Sequence, residues 1–122
     1  MAKILVIEDE DNMRAMLCDA LEMAGHSVVL ASSGAEGVQQ FKKEGADLVI
    51  TDLFMPGMGG DETITALRAL APELKIIAMS GTSVDRGEAE LAHKLGVLRV
   101  LQKPFLLKNL FAAVAEATGA KK

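Results

Sequence analysis

The sequence has no tryptophan, no tyrosine and only four phenylalanines among its 122 residues, so aromatic rings can contribute little to a core. Half of the residues are nonetheless apolar. The core must therefore be aliphatic, built from leucine, isoleucine, valine, alanine and methionine. A chain of this length has room for one domain with a sizeable core and is too short for two. We expect a single domain over residues 1–122, with no output domain.

The sequence also lacks a pair of cysteines, an excess of positive charge and a long apolar run. The one cysteine, Cys18, cannot form an internal disulfide, which is typical of the reducing cytosol. A net charge of −4 offers no basic surface for nucleic acid. The first apolar run, residues 4–7, is far too short for a signal peptide or a membrane span. We expect a soluble cytoplasmic protein, with neither nucleic acid nor membrane as a partner.

Five short apolar runs predict five strands, at residues 3–7, 27–31, 47–51, 75–79 and 97–101. Four of them are nearly continuous rather than alternating, as expected of strands covered on both faces. Stretches with helical periodicity separate and follow the runs. Their apolar stripes are Met13, Leu17, Ala20, Leu21 and Ala24; Val38 and Phe41; Ile64, Leu67, Leu70 and Ala71; Ala89, Ala92 and Leu95; and Leu107, Leu110, Phe111 and Val114.

Strand and helix alternate five times, which predicts an α/β fold: a doubly wound, five-stranded parallel sheet, (βα)5, with helices on both faces. A capping box of Ser33 and Glu36 marks the start of the second helix, and Gly25 follows the first helix as a stop. In sheets of this kind, functional sites lie beyond the carboxyl ends of the strands. The residues at the strand ends are therefore the candidates for chemistry.

Polar side chains follow four of the predicted strands. The acidic run Glu8–Asp11 follows the first strand, Asp52 the third, Ser80 the fourth and Lys103 the fifth. Taken singly, each has an ordinary structural interpretation: a strand-end Asp or Ser forms turns, a Lys is solvated, and Asp11 or the following Asn can cap the first helix. Asp52 is a poor cap, however, because "MPGMGG" delays the next helix.

The convergence of these carboxylates favours a metal site. If the first and third strands are neighbours, Glu8, Asp9 and Asp52 crowd together, and two unit charges ~5 Å apart at an effective dielectric of ~20 repel by roughly 3 kcal/mol. One lysine cannot offset three acids. The ligands are hard oxygens with no His or Cys among them, which favours Mg²⁺, a cation that keeps waters and completes its shell with phosphate oxygens.

A carboxylate, Mg²⁺, a hydroxyl and a lysine together predict a phosphoryl-transfer site. The carboxylate of Asp52 can attack phosphorus and become an acyl phosphate. The metal and Lys103 would neutralise the equatorial oxygens, and the Ser80 hydroxyl would donate one further hydrogen bond.

The sequence resembles a receiver domain of two-component response regulators, of the single-domain, chemotaxis-regulator-like kind. The resemblance rests on four motifs: the acidic pair Glu8–Asp9, "TDLFMPGMGG" around Asp52, "MSG" at Ser80 and "QKPF" at Lys103. It implies a flavodoxin-like sheet with strand order 2-1-3-4-5. It also implies a signalling domain rather than an enzyme, one that promotes only its own phosphorylation and dephosphorylation.

The resemblance further implies the partners and the site. Asp52 would take phosphate from a phosphohistidine on a sensor histidine kinase or a histidine phosphotransfer protein. Asp9, Asp52 and the backbone carbonyl of Phe54 would hold Mg²⁺, with Glu8 acting largely through water. Asp52, Ser80 and Lys103 would carry the chemistry.

Three positions depart from the common pattern of the family. The acidic pair is Glu–Asp rather than Asp–Asp, which weakens the case for direct metal contact by Glu8. Phe54 offers no polar group to orient an attacking water, so we expect slow self-dephosphorylation. Val100 stands where many receivers carry an aromatic residue, and it is too small and stiff for an inward–outward rotamer switch. The switch would then rely on the loop after Ser80 and on the fourth helix.

Partner binding through the face formed by the fourth helix, fifth strand and fifth helix is the expected output. Leu98, Leu106 and Ala113 face away from the inferred core stripe there and form a candidate docking or phosphorylation-dependent dimer surface. The alternative function is a small phosphatase of the haloacid dehalogenase type, with Asp9 of "DEDNM" as nucleophile. That class needs a further acidic pair late in the chain, where Glu116 is the one acid after Glu90.

Overall fold

The structure is a computed structural model, and it describes residues 2–53, 60–80, 93–102 and 105–119. The described strands are β1 (Lys3–Ile7), β2 (Ser27–Ala31), β3 (Leu48–Asp52), β4 (Lys75–Ser80) and β5 (Arg99–Gln102). The helices are α1 (Asp11–Met23), α2 (Gly34–Glu44), α3 (Gly60–Leu70) and the last helix (Leu107–Thr118). Most of the predicted fourth helix lies outside the described residues, although His93 and Lys94 are helical.

All described strands are parallel and form one sheet in the order β2-β1-β3-β4-β5, which confirms the predicted fold. All five residues of β3 and four of the five residues of β1 are buried, as expected of strands covered on both faces, whereas the edge strand β2 is buried only at Ala31. β1 and β2 have the predicted bounds, whereas β3 begins and ends one residue later than predicted. Asp52 is consequently the last residue of β3 rather than the first residue of the loop.

Alternate residues of each strand point to two separate apolar clusters, one on each face of the sheet. Ile4 and Val6 of β1 point to α1 and the last helix, where they pack with Leu17, Leu21, Leu110 and Val114. Leu5 and Ile7 point to the opposite face and pack with residues that include Ile64 and Leu67 of α3. The two-residue period of a strand thus divides the aliphatic core into two layers.

The predicted stripe of the last helix is confirmed at Leu110 and Val114 and wrong at Leu107 and Phe111. Its buried residues are Leu110, Ala113, Val114 and Ala117, whereas Leu107 and Phe111 are 45% and 37% exposed. The small side chains of the two alanines let the helix backbone lie close to the sheet. Ala113 is 2% exposed, so it belongs to the core and not to the predicted docking surface.

Two helix starts differ in how their free N–H groups are satisfied. The side chain of Ser33 accepts a hydrogen bond from the backbone N–H of Glu36 at 3.1 Å, as the capping box predicts. The Glu36 carboxylate in return accepts from the backbone N–H and hydroxyl of Ser32, at 2.7 and 2.8 Å. α1 instead has Glu10 as its N-cap, and that side chain makes no capping hydrogen bond. The interpretation of Asp11 as the cap was therefore wrong.

The guanidinium of Arg68 on α3 joins two chain segments at the amino end of the sheet. It donates to the carbonyl oxygens of Pro72 (3.1 Å) and Leu74, in the turn before β4. It also donates to those of Leu95 (3.3 Å) and Gly96 (2.6 Å), before β5. All four acceptors are backbone groups, so the side chain stabilises the path of the chain rather than an ion pair.

Candidate metal and phosphoryl-transfer site

Three polar residues lie at the carboxyl edge of the sheet. Ile7 of β1 pairs with Thr51 of β3, which brings Glu8 alongside Asp52. Asp52 pairs with Met79 of β4, so Ser80 lies one residue beyond it on the neighbouring strand. Asp52 is 6% exposed, and Glu8 and Ser80 are fully buried. The parallel topology thus brings together residues that are far apart in sequence, as the strand-end pattern predicted.

The carboxylates of Glu8, Asp9 and Asp52 form a cluster. One oxygen atom from each lies within 4.8 Å of the others, and Asp9 is the exposed member of the three. A single divalent ion could contact carboxylates at this spacing. The donors are hard oxygens, which suit a hard cation such as Mg²⁺ or Ca²⁺. Because two of the acids are buried and the third faces solvent, the cluster would form a cation-binding site that solvent can reach from one side.

Several hydrogen bonds fix the position of Glu8. Its backbone N–H donates to the carbonyl of Ala31 at 3.0 Å, which extends the β1–β2 pairing beyond the strand. Its carboxylate accepts from the backbone N–H of Glu10 at 3.0 Å. Its carbonyl oxygen accepts from the Arg14 guanidinium at 2.9 Å. Hydrogen bonds to both the backbone and the side chain of Glu8 therefore stabilise the turn from β1 into α1.

Arg14 is the residue of this site that sequence reasoning missed. Its second guanidinium nitrogen, Nη2, lies 2.5 Å from Oδ1 of Asp11, one helical turn earlier, and its side chain is 20% exposed. The i, i+3 spacing of Asp11 and Arg14 indicates an ion pair in any helix. The contact with the Glu8 carbonyl has no sequence signal, because it depends on the angle between β1 and α1.

The backbone near Asp52 is also well bonded. The Thr51 hydroxyl donates to the Asp52 carbonyl at 3.1 Å, and the Leu53 N–H donates to the Met79 carbonyl at 2.9 Å. In the described part of the chain, every buried side-chain nitrogen or oxygen has a hydrogen-bond partner. Phe54 and Lys103, which the sequence places at the same site, lie outside the described residues.

No helix in the described ranges has the length and apolar character needed to cross a membrane.

Comparison with known proteins identifies the class. Residues 4–115 match the family model of the response regulator receiver domain. The chain belongs to this family, whose members are the signalling domains of two-component systems. The match covers the acidic turn, Asp52, Ser80 and Lys103 together. The comparisons do not support the alternative of a haloacid dehalogenase-type phosphatase.

Individual relatives differ in how much of their length the chain covers. The response regulator receiver protein CpdR of Brucella abortus is 34% identical over 110 residues, which are 90% of this chain and 91% of CpdR. The response regulator protein FleR of Pseudomonas aeruginosa is 35% identical over 115 residues, 93% of this chain but only 24% of FleR. A crystal structure of a receiver domain protein from Clostridium thermocellum superposes with a TM-score of 0.90 at 34% identity, covering 98% of this chain and 95% of that one.

Proposed function

We propose that Asp52 is the phosphoacceptor of this receiver domain, and that the phosphoryl group comes from a phosphohistidine of a sensor histidine kinase or a histidine phosphotransfer protein. The observation that carries the proposal is the placement of the Asp52 carboxylate within 4.8 Å of two further carboxylates at the carboxyl edge of the sheet. An ionised carboxylate is a nucleophile, and a divalent cation would relieve the repulsion among the three acids and offset the negative charge of the incoming phosphoryl group.

In the proposed reaction, a carboxylate oxygen of Asp52 attacks phosphorus and forms a carbon–oxygen–phosphorus linkage. The phosphorus–nitrogen bond of the phosphohistidine breaks, and the imidazole leaves with the electron pair. Ser80 is buried at the end of the neighbouring strand β4, one residue beyond the partner of Asp52, and would donate a hydrogen bond to a phosphoryl oxygen. Lys103, from the end of the fifth strand, would neutralise another.

Mg²⁺ is the cation that fits this chemistry best. When bound, it neutralises charge on the phosphoryl oxygens during transfer. Asp9 and Asp52 would be its direct carboxylate ligands, together with the backbone carbonyl of Phe54. Glu8 is fully buried and already accepts a hydrogen bond from the Glu10 N–H. These contacts support a role for Glu8 in orienting a metal-bound water, the indirect role that the family resemblance implies.

The proposal is tested with acetyl phosphate, a small donor that replaces the kinase. Wild-type protein, Asp52→Asn and Asp47→Asn are incubated with the donor, with and without Mg²⁺, and the intact mass is measured. We expect one added phosphoryl group on the wild type and on Asp47→Asn, in the presence of Mg²⁺ only. Asp47 lies at the opposite end of β3 and serves as the matched control. Phosphorylation of Asp52→Asn at the wild-type rate would refute the assignment.

We further propose that output passes through a groove beside β5. The groove has a volume of about 320 Å³ and is lined by Val100, Gln102, Leu106 and Asn109, among others. Leu106 at its rim is 61% exposed. A second copy of the chain is the occupant we test first, by sedimentation with and without acetyl phosphate. Leu106→Ser should abolish phosphorylation-dependent dimerisation, and Met23→Ser, which alters an exposed methionine on α1, should not. A phosphorylated wild type that stays monomeric would refute a second copy as the occupant, and the groove would then have to bind a different protein.

A further inference from the structure

We infer that Arg14 is a positioning residue for the metal site, an inference that rests on the proposed Mg²⁺-dependent function. It acts on the peptide group that joins two of the three clustered acids, Glu8 and Asp9. Its Nη1 donates to the carbonyl oxygen of Glu8 at 2.9 Å, and that carbonyl belongs to the Glu8–Asp9 peptide group.

The orientation of that peptide group sets the position of the backbone from which the Asp9 side chain extends. Asp9 is the exposed member of the cluster and lies in a bend between β1 and α1, outside both elements. Because a peptide unit is planar, fixing the Glu8 carbonyl also fixes the N–H and Cα of Asp9. Arg14 therefore restrains the least constrained of the three ligands through the backbone.

The guanidinium can exert this restraint because it is itself held. Its other nitrogen, Nη2, pairs with Asp11, and the side chain is 20% exposed. It lines a cavity of about 180 Å³ with Leu30, Ala31 and Ser32 at the end of β2. The planar fork of an arginine reaches two acceptors at once, which the single ammonium of a lysine does not reproduce. Mutation of residues that orient metal ligands without touching the metal commonly lowers metal affinity by about 10- to 100-fold.

Electrostatics and positioning predict opposite signs, so one measurement separates them. Replacing Arg14 by Met removes a positive charge near a cation site and leaves Asp11 unpaired. On charge alone, both effects should tighten cation binding. If Arg14 instead holds Asp9 in place, the same substitution should weaken binding by about tenfold. Weaker binding after removal of a like charge has no through-space electrostatic explanation.

The experiment measures Mn²⁺ binding by the loss of the free-ion electron paramagnetic resonance signal, with Mg²⁺ as competitor. The variants are Arg14→Met, Arg14→Lys and Arg99→Met, the last removing an exposed arginine on β5. We expect Kd to rise about tenfold for Arg14→Met and less for Arg14→Lys, and to stay at the wild-type value for Arg99→Met. The ¹⁵N shift of the Asp9 amide should move in both Arg14 variants, because its peptide carbonyl loses or changes a hydrogen bond.

Each remaining outcome bears on the inference. An Arg14→Met protein with a lower Tm but an unchanged or smaller Kd shows a structural role only and overturns it. If Arg14→Met does not fold, Arg14→Lys decides, because charge alone predicts no change there and positioning predicts weaker binding. A wild type that binds no Mn²⁺ refutes the proposed function itself. A wild type that binds Mn²⁺ as tightly as every Arg14 variant refutes only the role of Arg14.

Discussion

Gly37 of α2 lies directly against Ile7 of β1. A Cβ atom placed on Gly37 would come within 2.3 Å of Ile7 Cδ1 and 2.7 Å of its Cγ1. Ile7 is fully buried and immediately precedes Glu8 of the acidic cluster. The close approach of α2 to the sheet therefore lies one residue away from the functional site.

Overpacking of the core by Gly37→Ala should cost about 1 to 3 kcal/mol. Alanine is favoured over glycine inside a helix by about 1 kcal/mol, so the net destabilisation should reach at most about 2 kcal/mol and is smaller than the steric cost itself. Urea unfolding measures the free energy. In an Ile7→Val background, which lacks the Cδ1 atom, the same substitution should cost less. Equal costs in the two backgrounds would show that Ile7 is not what the methyl group meets.

Arg68→Met should cost about 2 kcal/mol or more, because it leaves the carbonyls of Leu74 and Leu95 without the charged donor that satisfies them. Arg99→Met is the matched control. It removes an exposed ion pair with Glu116, and such pairs contribute less than about 1 kcal/mol. Urea unfolding of both variants gives the comparison. Similar losses for the two would mean that the Arg68 contacts contribute no more than a surface pair.

The hydrogen bonds from Ser32 to the Glu36 carboxylate, at the start of α2, should make stability depend on pH. Hydrogen bonds from the Ser32 backbone N–H and hydroxyl, with a smaller effect from the charge of Arg14, lower the pKa of Glu36 below its ordinary 4.5. A carboxyl whose pKa is lower when folded stabilises the protein above the unfolded pKa and loses that contribution as pH falls through the folded pKa. Because Glu36 is exposed, the effect should stay below about 1 kcal/mol.

The check is urea unfolding of wild type and Glu36→Gln between about pH 6 and pH 3. We expect the wild type to be the more stable protein at the upper end, with the difference shrinking towards the lower end. A difference that stays constant over the whole range would mean that the ionised carboxylate is not the stabilising form.

The phosphorylated protein should lose its phosphate slowly. Phe54 stands two residues after Asp52 and has no polar group to orient an attacking water. Introducing an amide there, as Phe54→Asn, should accelerate hydrolysis about tenfold or more. The phosphoprotein is prepared with acetyl phosphate, freed of donor, and followed by mass spectrometry with no phosphatase present. A wild-type lifetime of seconds, or an Asn variant no faster than wild type, would contradict the role given to Phe54.

The sequence predicted the sheet well because its inner strands, β1, β3 and β4, are buried on both faces. A short continuous apolar run such as Ile4–Ile7 is difficult to assign to anything other than a buried strand. Once the strands were assigned, their carboxyl ends placed Glu8, Asp52 and Ser80 at one edge of the sheet. The last helix was harder, because Leu107 and Phe111 look like core residues and Ala113 does not. Burial there follows the distance between helix and sheet, which the apolar pattern alone does not contain.

The two arginines show a second limit of sequence reasoning. Arg14 donates to the backbone carbonyl of Glu8, and Arg68 donates to backbone carbonyls that include that of Gly96. Every residue carries such an acceptor, so no residue type marks the partner. These contacts follow from the tertiary path of the chain and can be found only once that path is known.

The central claim is that crowding of acids at the sheet edge makes the carboxylate of Asp52 the phosphoryl acceptor. Borohydride reduction of the phosphorylated protein converts an acyl phosphate to an alcohol, and peptide mass spectrometry then locates the converted residue. We expect homoserine at position 52, formed only when Mg²⁺ and donor were both present. Conversion at Asp9 instead, or at no aspartate in the chain, would contradict the account.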